Sequence, residues 1–415
     1  MPGDPQRTID AVWRAESPQL IGALTRLVRD VALAEELAQD ALVAALEQWP
    51  RDGIPTNPGA WLMSVARRRA IDVLRRGSLI AGKHETLAQE LDAGAPDLDS
   101  SIDDQVGDDL LRLIFIACHP VLPREARVAL TLRLLGGLTT QEIARAFLVP
   151  EPTIAQRIVR AKRTLSDARV PFELPSAADL AERLSSVLGV VYLVFNEGYA
   201  ATSGDDLVRP ALCDEALRLG RLLARIDPNE PEVHGLLALM ELQSSRFAAR
   251  TNAHGDAITL LEQDRSRWDH AAIERGLAAL ARAEALGGTL GPYALPPGIA
   301  AVHARAKTAA ETDWGRIAAL YDVLAALTPQ PVIELNRAVA HAMVFGPQAG
   351  LDLIEPLGEA LEGYHLLHTV RGDLLERLGR RDEARGEFET AASLTENARE
   401  KSLLLSRAKR VSSGS

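Results

Sequence analysis

The residues best suited to reading a nucleic acid lie in segment 138–162. Two short stretches with helical periodicity flank a turn that contains Pro150 and Pro152. Thr139 or Thr140 can cap the first helix, and a proline at position 152 suits the first turn of the second helix. The spacing therefore predicts a helix-turn-helix, a motif that reads DNA with its second helix.

The two helices of this motif are predicted to pack through one apolar stripe. The inward residues are Ile143, Ala144, Phe147, Ile154, Ile158, Ala161 and Leu165. A polar stripe lies about 110° away on the second helix by the helical period. Glutamine and arginine bond base edges bidentately in the major groove, and further cations hold phosphates. The DNA-contacting residues are predicted to be Thr153, Gln156, Arg157, Arg160 and Lys162. The alternative is the solvated face of an ordinary helical hairpin.

A second basic segment follows a loop that Pro50, Gly53, Pro55 and Pro58 are predicted to force. Residues 61–76 have apolar positions at helical spacing, and this helix is crowded with cations. The cations are Arg67, Arg68, Arg69, Arg75 and Arg76. Taken alone, an amphipathic basic helix can contact DNA, RNA or a membrane surface.

The charge distribution favours contact with DNA at two places. The 415 residues have a formal net charge of −11. Residues 110–170 nevertheless carry ten Lys and Arg against four Asp and Glu, whereas residues 83–109 hold nine acids and one lysine. Two basic segments separated by an acidic linker suit a protein that binds DNA through two domains.

The composition predicts an all-α protein of two to four domains. Alanine, leucine, arginine and glutamate dominate, while aromatic residues make up 4%. No apolar run is long enough to cross a bilayer and no signal peptide is evident, so a cytoplasmic location is expected. Cys118 and Cys213 fall within apolar helical patterns, and both are predicted to be buried small hydrophobes.

The predicted helices and loops divide the chain into four segments. Residues 1–76 contain a helical hairpin at 8–48 and a helix at 60–76, and residues 77–108 form a flexible acidic linker. Residues 109–170 contain helices at 109–119, 123–135, 139–148 and 152–166. Residues 175–415 are helical throughout. From about residue 331 a period of about 33 to 34 residues, with turns at Phe345-Gly346 and Leu378-Gly379, predicts tetratricopeptide-like repeats.

Two segments resemble region 2 of the sigma factors. These are Ala34–Leu42, with its Ala-Glu-Glu-Leu-x-Gln-Asp pattern, and the Trp61–Arg76 helix. Residues 110–170 resemble sigma region 4. This order, with an acidic linker and no region 3, resembles the extracytoplasmic-function group over residues 8–170.

The resemblance implies a role for several residues. Glu36, Gln39 and Asp40 would bind the clamp of core RNA polymerase. The loop at 51–59, and Asn57 above all, would accept a flipped base of the −10 element, which has an unstacking cost of a few kcal/mol. Arg67, Arg68, Arg69, Arg75 and Arg76 would then hold the DNA backbone. Arg68 stands where the group commonly has asparagine, and no aromatic residue lies between Trp49 and Trp61.

From about residue 175 the chain resembles a helical C-terminal extension found in one sigma group, with local marks at 190–199 and 313–321. Asn196, Glu197 and Tyr199 either form a polar pocket or cap a helix end, and capping is favoured. His365 and His368 lack the further ligands that a metal site requires, so no metal is predicted.

The sequence predicts a sigma factor that binds core RNA polymerase and promoter DNA. No nucleophile motif, phosphate-binding loop or dinucleotide fingerprint is present, so no enzymatic activity, cofactor or membrane partner is predicted. The extension is expected to regulate the protein, with a regulatory protein binding its repeats. The linker is either a tether or a segment whose acids imitate RNA in the exit path. The alternative function is a helix-turn-helix activator with a sensory repeat domain.

Overall fold

Helix-forming residues dominate the chain, and the computed structural model is accordingly helical, which confirms the all-α prediction. The structure describes residues 5–81, 102–147, 149–176, 179–200, 203–204, 208–252, 257–287 and 291–413. The chain divides into two compact units, Met1–Leu193 and Val194–Ser415. Within the described residues, extended backbone is limited to the parallel pair β1 (Ser203–Gly204) and β2 (Glu396–Asn397) and one Thr251–Ala257 bridge.

The first unit is built from seven helices and part of an eighth among the described residues. They are α1 Pro5–Val28, α2 Val31–Asp52, α3 Pro58–Ala81, α4 Ile102–Ala117, α5 Arg124–Leu134, α6 Thr140–Ala146, α7 Glu151–Asp167 and α8 Leu180–Tyr199, which continues into the second unit. Both α3 and α4 extend into the segment predicted as linker. The rest of that segment, residues 82–101, lies outside the described residues.

Helices α1, α2 and α3 pack on one another through apolar side chains. Ile9, Leu20 and Leu24 of α1 are buried, and so is Leu37 of α2. The buried alanines on α2 let its neighbours approach closely. They are Ala34, Ala38, Ala41, Ala44 and Ala45.

The loop before α3 begins later than predicted. Pro50 was expected to open this loop, but it lies inside α2, which continues to Asp52. Gly53 ends the helix, with a φ of 87° and its N–H donating to the Trp49 carbonyl at 3.0 Å. Proline removes its own amide donor and crowds the carbonyl four residues earlier, but only two helical residues follow Pro50 before Gly53 ends α2.

The predicted helix-turn-helix is present as α6 and α7. Thr139 Oγ accepts from the Glu142 amide at 3.1 Å, and the Glu142 carboxylate accepts from the Thr139 amide at 2.8 Å. This reciprocal pair is a capping box, so Thr139 is the cap. Pro152 lies in the first turn of α7. The α7 stripe of Ile154, Ile158, Ala161 and Leu165 is buried as predicted.

The first half of α8 belongs to the first unit. Ser186 donates its hydroxyl to the Cys118 carbonyl at 2.7 Å and accepts from Arg127 at 2.5 Å. Arg183 donates to the Phe115 carbonyl at 3.1 Å. The compact unit therefore continues past Pro175, where the sequence suggests a boundary, to Leu193.

The second unit contains ten further helices among its described residues. They are α9 Pro210–Ile226, α10 Pro231–Ser244, α11 His270–Ala285, α12 Leu295–Arg305, α13 Trp314–Leu327, α14 Pro331–Phe345, α15 Pro347–Ile354, α16 His365–Arg377, α17 Arg381–Leu394 and α18 Ala398–Ser413. The carboxylate of Glu241, buried on α10, is held by Arg221 of α9 at 2.6 Å and by Arg275 of α11 at 3.0 Å.

The predicted helix pairs after residue 331 are present. Helices α14 and α15 turn at Gly346, and α16 and α17 turn at Gly379, both with positive φ. Phe388 of α17 is fully buried in a core shared with Leu404 and Ala408 of α18.

Both cysteines are buried, as predicted. Burial raises the pKa of the Cys118 thiol to about 11 and that of Cys213 to about 12. None of the described helices combines the length and apolarity that crossing a bilayer requires.

Candidate nucleic-acid interface

The polar face of α7 is open to solvent. Thr153, Gln156 and Arg160 are exposed, and Arg157 is half-buried. Arg163 was missed by the sequence analysis, although it follows Gln156 by seven residues, the spacing that keeps a residue on the same helical face. It is exposed and has one partner among the described residues, Asp167 at 3.4 Å. The exposed face thus presents one amide and three guanidinium groups.

Lys162 lies on another side of α7. It follows Gln156 by six residues, which rotates it by about 120° from that residue. Its side chain is 17% exposed and its ammonium contacts the carboxylate of Glu35 on α2. The structure therefore separates Lys162 from the other predicted DNA-binding residues of α7.

Glu35 is the centre of a buried ion cluster, which we define as Glu35, Arg133 and Lys162. The Glu35 side chain is only 4% exposed. Its Oε1 atom accepts from Arg133 Nε at 2.6 Å and from Gln39 Nε2 at 2.5 Å, while Oε2 contacts Lys162. Two cations, from α5 and α7, thus neutralise one carboxylate of α2.

Further ion pairs join α1 to the helices after the linker. Asp109 of α4 is 3% exposed and accepts from Arg26 and Arg112, each at 2.8 Å. Burial raises the pKa of Asp109, and the two arginines oppose that shift. Arg14 contacts Glu142, the capping-box carboxylate, at 2.5 Å.

Gly137 allows α1 to approach the turn before the helix-turn-helix. Its φ is 64°, and a Cβ atom at this position would lie 3.1 Å from Ser17 Oγ and 3.3 Å from the Arg14 Cα. A side chain would therefore be strained by the backbone and crowded by α1. Helices α1 and α2 thus contact α4, α5 and α7, and we call this contact the junction.

The three residues predicted to bind polymerase lie on α2 in different environments. Glu36 is exposed and has no ion-pair partner among the described residues. Asp40 is exposed and pairs with Arg69 at 2.7 Å, whereas Gln39 is half-buried and donates to Glu35. Glu36 is therefore the acid most available to a partner.

Helix α3 carries the other predicted DNA contacts. Arg67, Arg68, Arg75 and Arg76 are exposed, and Arg69 is drawn toward α2 by Asp40. Asn57 is exposed and caps α3, because its Oδ1 atom accepts from the Ala60 amide at 3.0 Å. The rings of Trp49 and Trp61 lie edge to face with centroids 5.3 Å apart, which anchors both ends of the loop.

Known families match the chain in the same order as these elements. Residues 12–79 match sigma-70 region 2, and residues 112–165 match sigma-70 region 4. Residues 183–284 match a family of unknown function, DUF6596.

Relatives match either the whole chain or its first part. Uncharacterized protein R00370 of Rhizobium meliloti (strain 1021) is 47% identical over 394 residues, which cover 94% of this chain and 93% of that protein. The probable ECF RNA polymerase sigma factor SigI of Mycobacterium tuberculosis (H37Rv) is 30% identical over 165 residues, 39% of this chain and 56% of that protein. ECF RNA polymerase sigma factor SigK of Mycobacterium ulcerans (Agy99) is 30% identical over 158 residues, 35% of this chain and 78% of that protein.

A region 2 domain followed by a region 4 helix-turn-helix defines the class of sigma-70 type transcription initiation factors. Such factors bring core RNA polymerase to promoter DNA. The chain belongs to the extracytoplasmic-function sigma factors and carries a C-terminal helical extension.

Replacing Glu35 with alanine is expected to loosen the junction. The substitution leaves Arg133 and Lys162 partly buried without a counter-charge, and breaking a buried ion pair in this way costs about 3 to 5 kcal/mol. Because Arg133 and Lys162 remain 20% and 17% exposed, the lower end of that range is expected. Energy transfer between dyes at positions 76 and 163 should fall. Glu36→Ala, which removes an exposed acid from the same helix, should leave the transfer unchanged, and equal values for the two variants would contradict a role for Glu35.

Replacing Arg160 with alanine is expected to relax DNA sequence preference. Loss of a base-reading arginine costs about 1 to 3 kcal/mol on the preferred sequence and removes discrimination at one position. Binding to a library of promoter duplexes at several salt concentrations measures both effects. Arg124→Ala removes the same charge from the exposed start of α5 and should leave the preference intact. A preference that survives Arg160→Ala would exclude base reading by this residue.

Proposed function

We propose that this chain binds core RNA polymerase through α2, directs it to promoters through α3 and α7, and is regulated by its C-terminal extension. In this proposal it acts in the cytoplasm and catalyses no reaction itself. One observation carries the proposal: a single compact unit offers an exposed acid on α2 and an exposed glutamine-arginine face on α7.

The upstream promoter element would be read by the exposed α7 residues Thr153, Gln156, Arg157 and Arg160. Their glutamine and arginine side chains have the donors that base edges in the major groove accept. Lys162 would act differently. Its ammonium is engaged by Glu35, so it supports the junction as long as that contact holds.

The −10 element would be bound by α3 and its preceding loop. The exposed arginines Arg67, Arg68, Arg75 and Arg76 suit backbone phosphates. Asn57 has its Oδ1 engaged in the α3 cap, so its Nδ2 group, which donates only, is what remains for a base. The proposed role of Asn57 therefore combines holding the loop with one donated hydrogen bond.

Promoter binding would require the junction to open. A compact unit of 193 residues has a radius of gyration of about 16 Å. DNA rises about 3.4 Å per base pair, so a body of this size spans only about ten base pairs. The ion cluster would therefore separate when α3 and α7 occupy two promoter elements that lie farther apart than this.

Run-off transcription tests the proposed function. Core polymerase alone should not initiate on a library of promoters, whereas core with this chain should initiate on a subset. Glu36→Lys is expected to weaken polymerase binding at least tenfold and to reduce this transcription in parallel, because it reverses an exposed charge without breaking an internal pair. Asp10→Lys makes the same charge change on exposed α1 and should retain full binding. Transcription equal to wild type by Glu36→Lys would contradict the assignment of α2.

Removing the extension tests its regulatory role. A chain that ends after Leu193 keeps the Ser186 and Arg183 contacts of the first unit, so it is expected to remain folded and to bind polymerase. Its transcription from the native promoter is expected to differ from that of the full chain. Equal transcription by both chains, in cells and with purified components, would show that residues 194–415 do not regulate initiation.

A further inference from the structure

The second unit pairs its partly buried arginines with carboxylates in most places. Arg209 contacts Glu197 at 2.5 Å, and Arg407 contacts Asp373 and Glu376, each at 2.7 Å. The pairs of Arg209 and Arg407 follow the usual rule that a guanidinium removed from water needs a counter-charge. Arg221 and Arg275 are themselves exposed, and together they neutralise the buried carboxylate of Glu241.

Arg246, Arg250 and Arg265 depart from this rule. Among the described residues, none of the three has a carboxylate partner within ion-pair distance, although all are half-buried or buried. They lie close together, since Arg246 and Arg250 share the ring of Tyr199, and Arg246 and Arg265 share the ring of Trp268. The charges of Glu400 and Glu311 act on Arg250 and Arg265, respectively, but neither acid forms an ion pair with them. Three like charges thus lie together without an ion-paired anion among the described residues.

The direct contacts of Arg250 and Arg265 are with neutral groups. Arg250 lies 3.9 Å from the Tyr199 ring centroid and donates to the Tyr199 carbonyl. Arg265 donates to the His303 and Ala306 carbonyls, each at 2.9 Å, and to the Thr312 hydroxyl at 2.8 Å. A cation–π contact is attractive but leaves the positive charge in place.

Arg246 differs from the other two because its side chain makes no hydrogen bond within the described part of the chain. Its guanidinium carbon lies 5.7 Å from the Tyr199 centroid and 5.9 Å from the Trp268 centroid. Its positive charge lowers the pKa of Arg250 and Arg265, after the larger effect of burial. Arg246 therefore carries a charge that no described residue of the chain neutralises.

Four buried nitrogen atoms of this group also lack a hydrogen-bond partner. They are Nε of Arg246, Nε of Arg265, Nε1 of Trp268 and Nδ1 of His303. Arg265, Trp268 and His303 are 6%, 3% and 8% exposed, so bulk water does not replace the missing partners. A buried donor without a hydrogen-bond partner destabilises the folded protein. Burial and the two nearby arginines lower the pKa of His303 to about 4, so this ring stays neutral at pH 7 and adds no cation.

We propose that a group of six residues, which we call the arginine cluster, binds a small anion that carries a phosphate group. The arginine cluster consists of Tyr199, Arg246, Arg250, Arg265, Trp268 and His303. Guanidinium donors form a planar fork that fits the oxygens of phosphate in pairs. The aromatic faces are already covered by the arginines, so the anionic group is the part of a ligand that the cluster recognises. Five of these residues lie within residues 183–284, the segment that matches DUF6596. The proposal therefore assigns anion binding to this segment.

The site is independent of promoter recognition, so its test uses the purified full chain without polymerase or DNA. Thermal unfolding and calorimetry are measured with inorganic phosphate, a nucleoside monophosphate or acetate, each against chloride at equal ionic strength. Phosphate is expected to raise the melting temperature and to bind at one site. A larger effect of the monophosphate would identify a phosphorylated metabolite as the source of the group, whereas an equal effect of acetate would overturn the preference for phosphate.

Arg246→Gln is the decisive variant, because the Arg246 side chain has no hydrogen bond to lose. It is expected to weaken phosphate binding at least tenfold and, in chloride alone, to raise the melting temperature by relieving repulsion among the three arginines. A merely structural Arg246 predicts the opposite sign in chloride. Arg282→Gln makes the same charge change on α11, where Arg282 bonds Pro228 and Asn229, and should bind phosphate like the wild type. The proposal fails if phosphate acts no more strongly than chloride on the unaltered chain, or if Arg246→Gln binds phosphate like the wild type.

Discussion

The contact of α2 with α5 and α7 depends on the buried carboxylate of Glu35. Glu35 would be costly to bury alone, and it is tolerated because Arg133 and Lys162 arrive from two other helices. The consequence is a geometric requirement: α2 contacts α5 and α7 at this point, and Gly137 lets α1 follow closely. An ion cluster can exchange partners, which suits the proposed opening of the junction on promoter DNA.

Cations of the first unit therefore divide into two groups with different tasks. Lys162, Arg133, Arg26 and Arg14 are engaged by acids within the unit. Arg160 and the outer arginines of α3 remain exposed to solvent. Chain-wide charge cannot show this division, because the same residue types serve both tasks. Only the acids that face them decide which cations remain available to DNA.

The described part of the second unit also pairs buried charges, and it departs from this pattern at the arginine cluster. Glu197 and Asp373 neutralise the partly buried Arg209 and Arg407, while the buried Glu241 is neutralised by the exposed Arg221 and Arg275. At the arginine cluster, rings and carbonyls take the place of acids, and several buried donors remain unused. Other partly buried arginines of the same unit have carboxylate partners, and among the described residues the arginines of the cluster do not. This difference is the reason to assign the cluster an external anion.

The sequence by itself determined the features that depend on neighbours a few residues apart. The α7 stripe, the Thr139–Glu142 capping box and the turns at Gly346 and Gly379 follow from helical period and local backbone preference, and they could be predicted. The family was recognisable from short patterns for the same reason. Only the tertiary structure decided that Lys162 contacts Glu35, that Asp40 occupies Arg69 and that the first unit continues to Leu193. The partners Arg133 and Glu35 are 98 residues apart, and Arg14 and Glu142 are 128 apart. No local pattern encodes such pairings, because they depend on how whole helices pack.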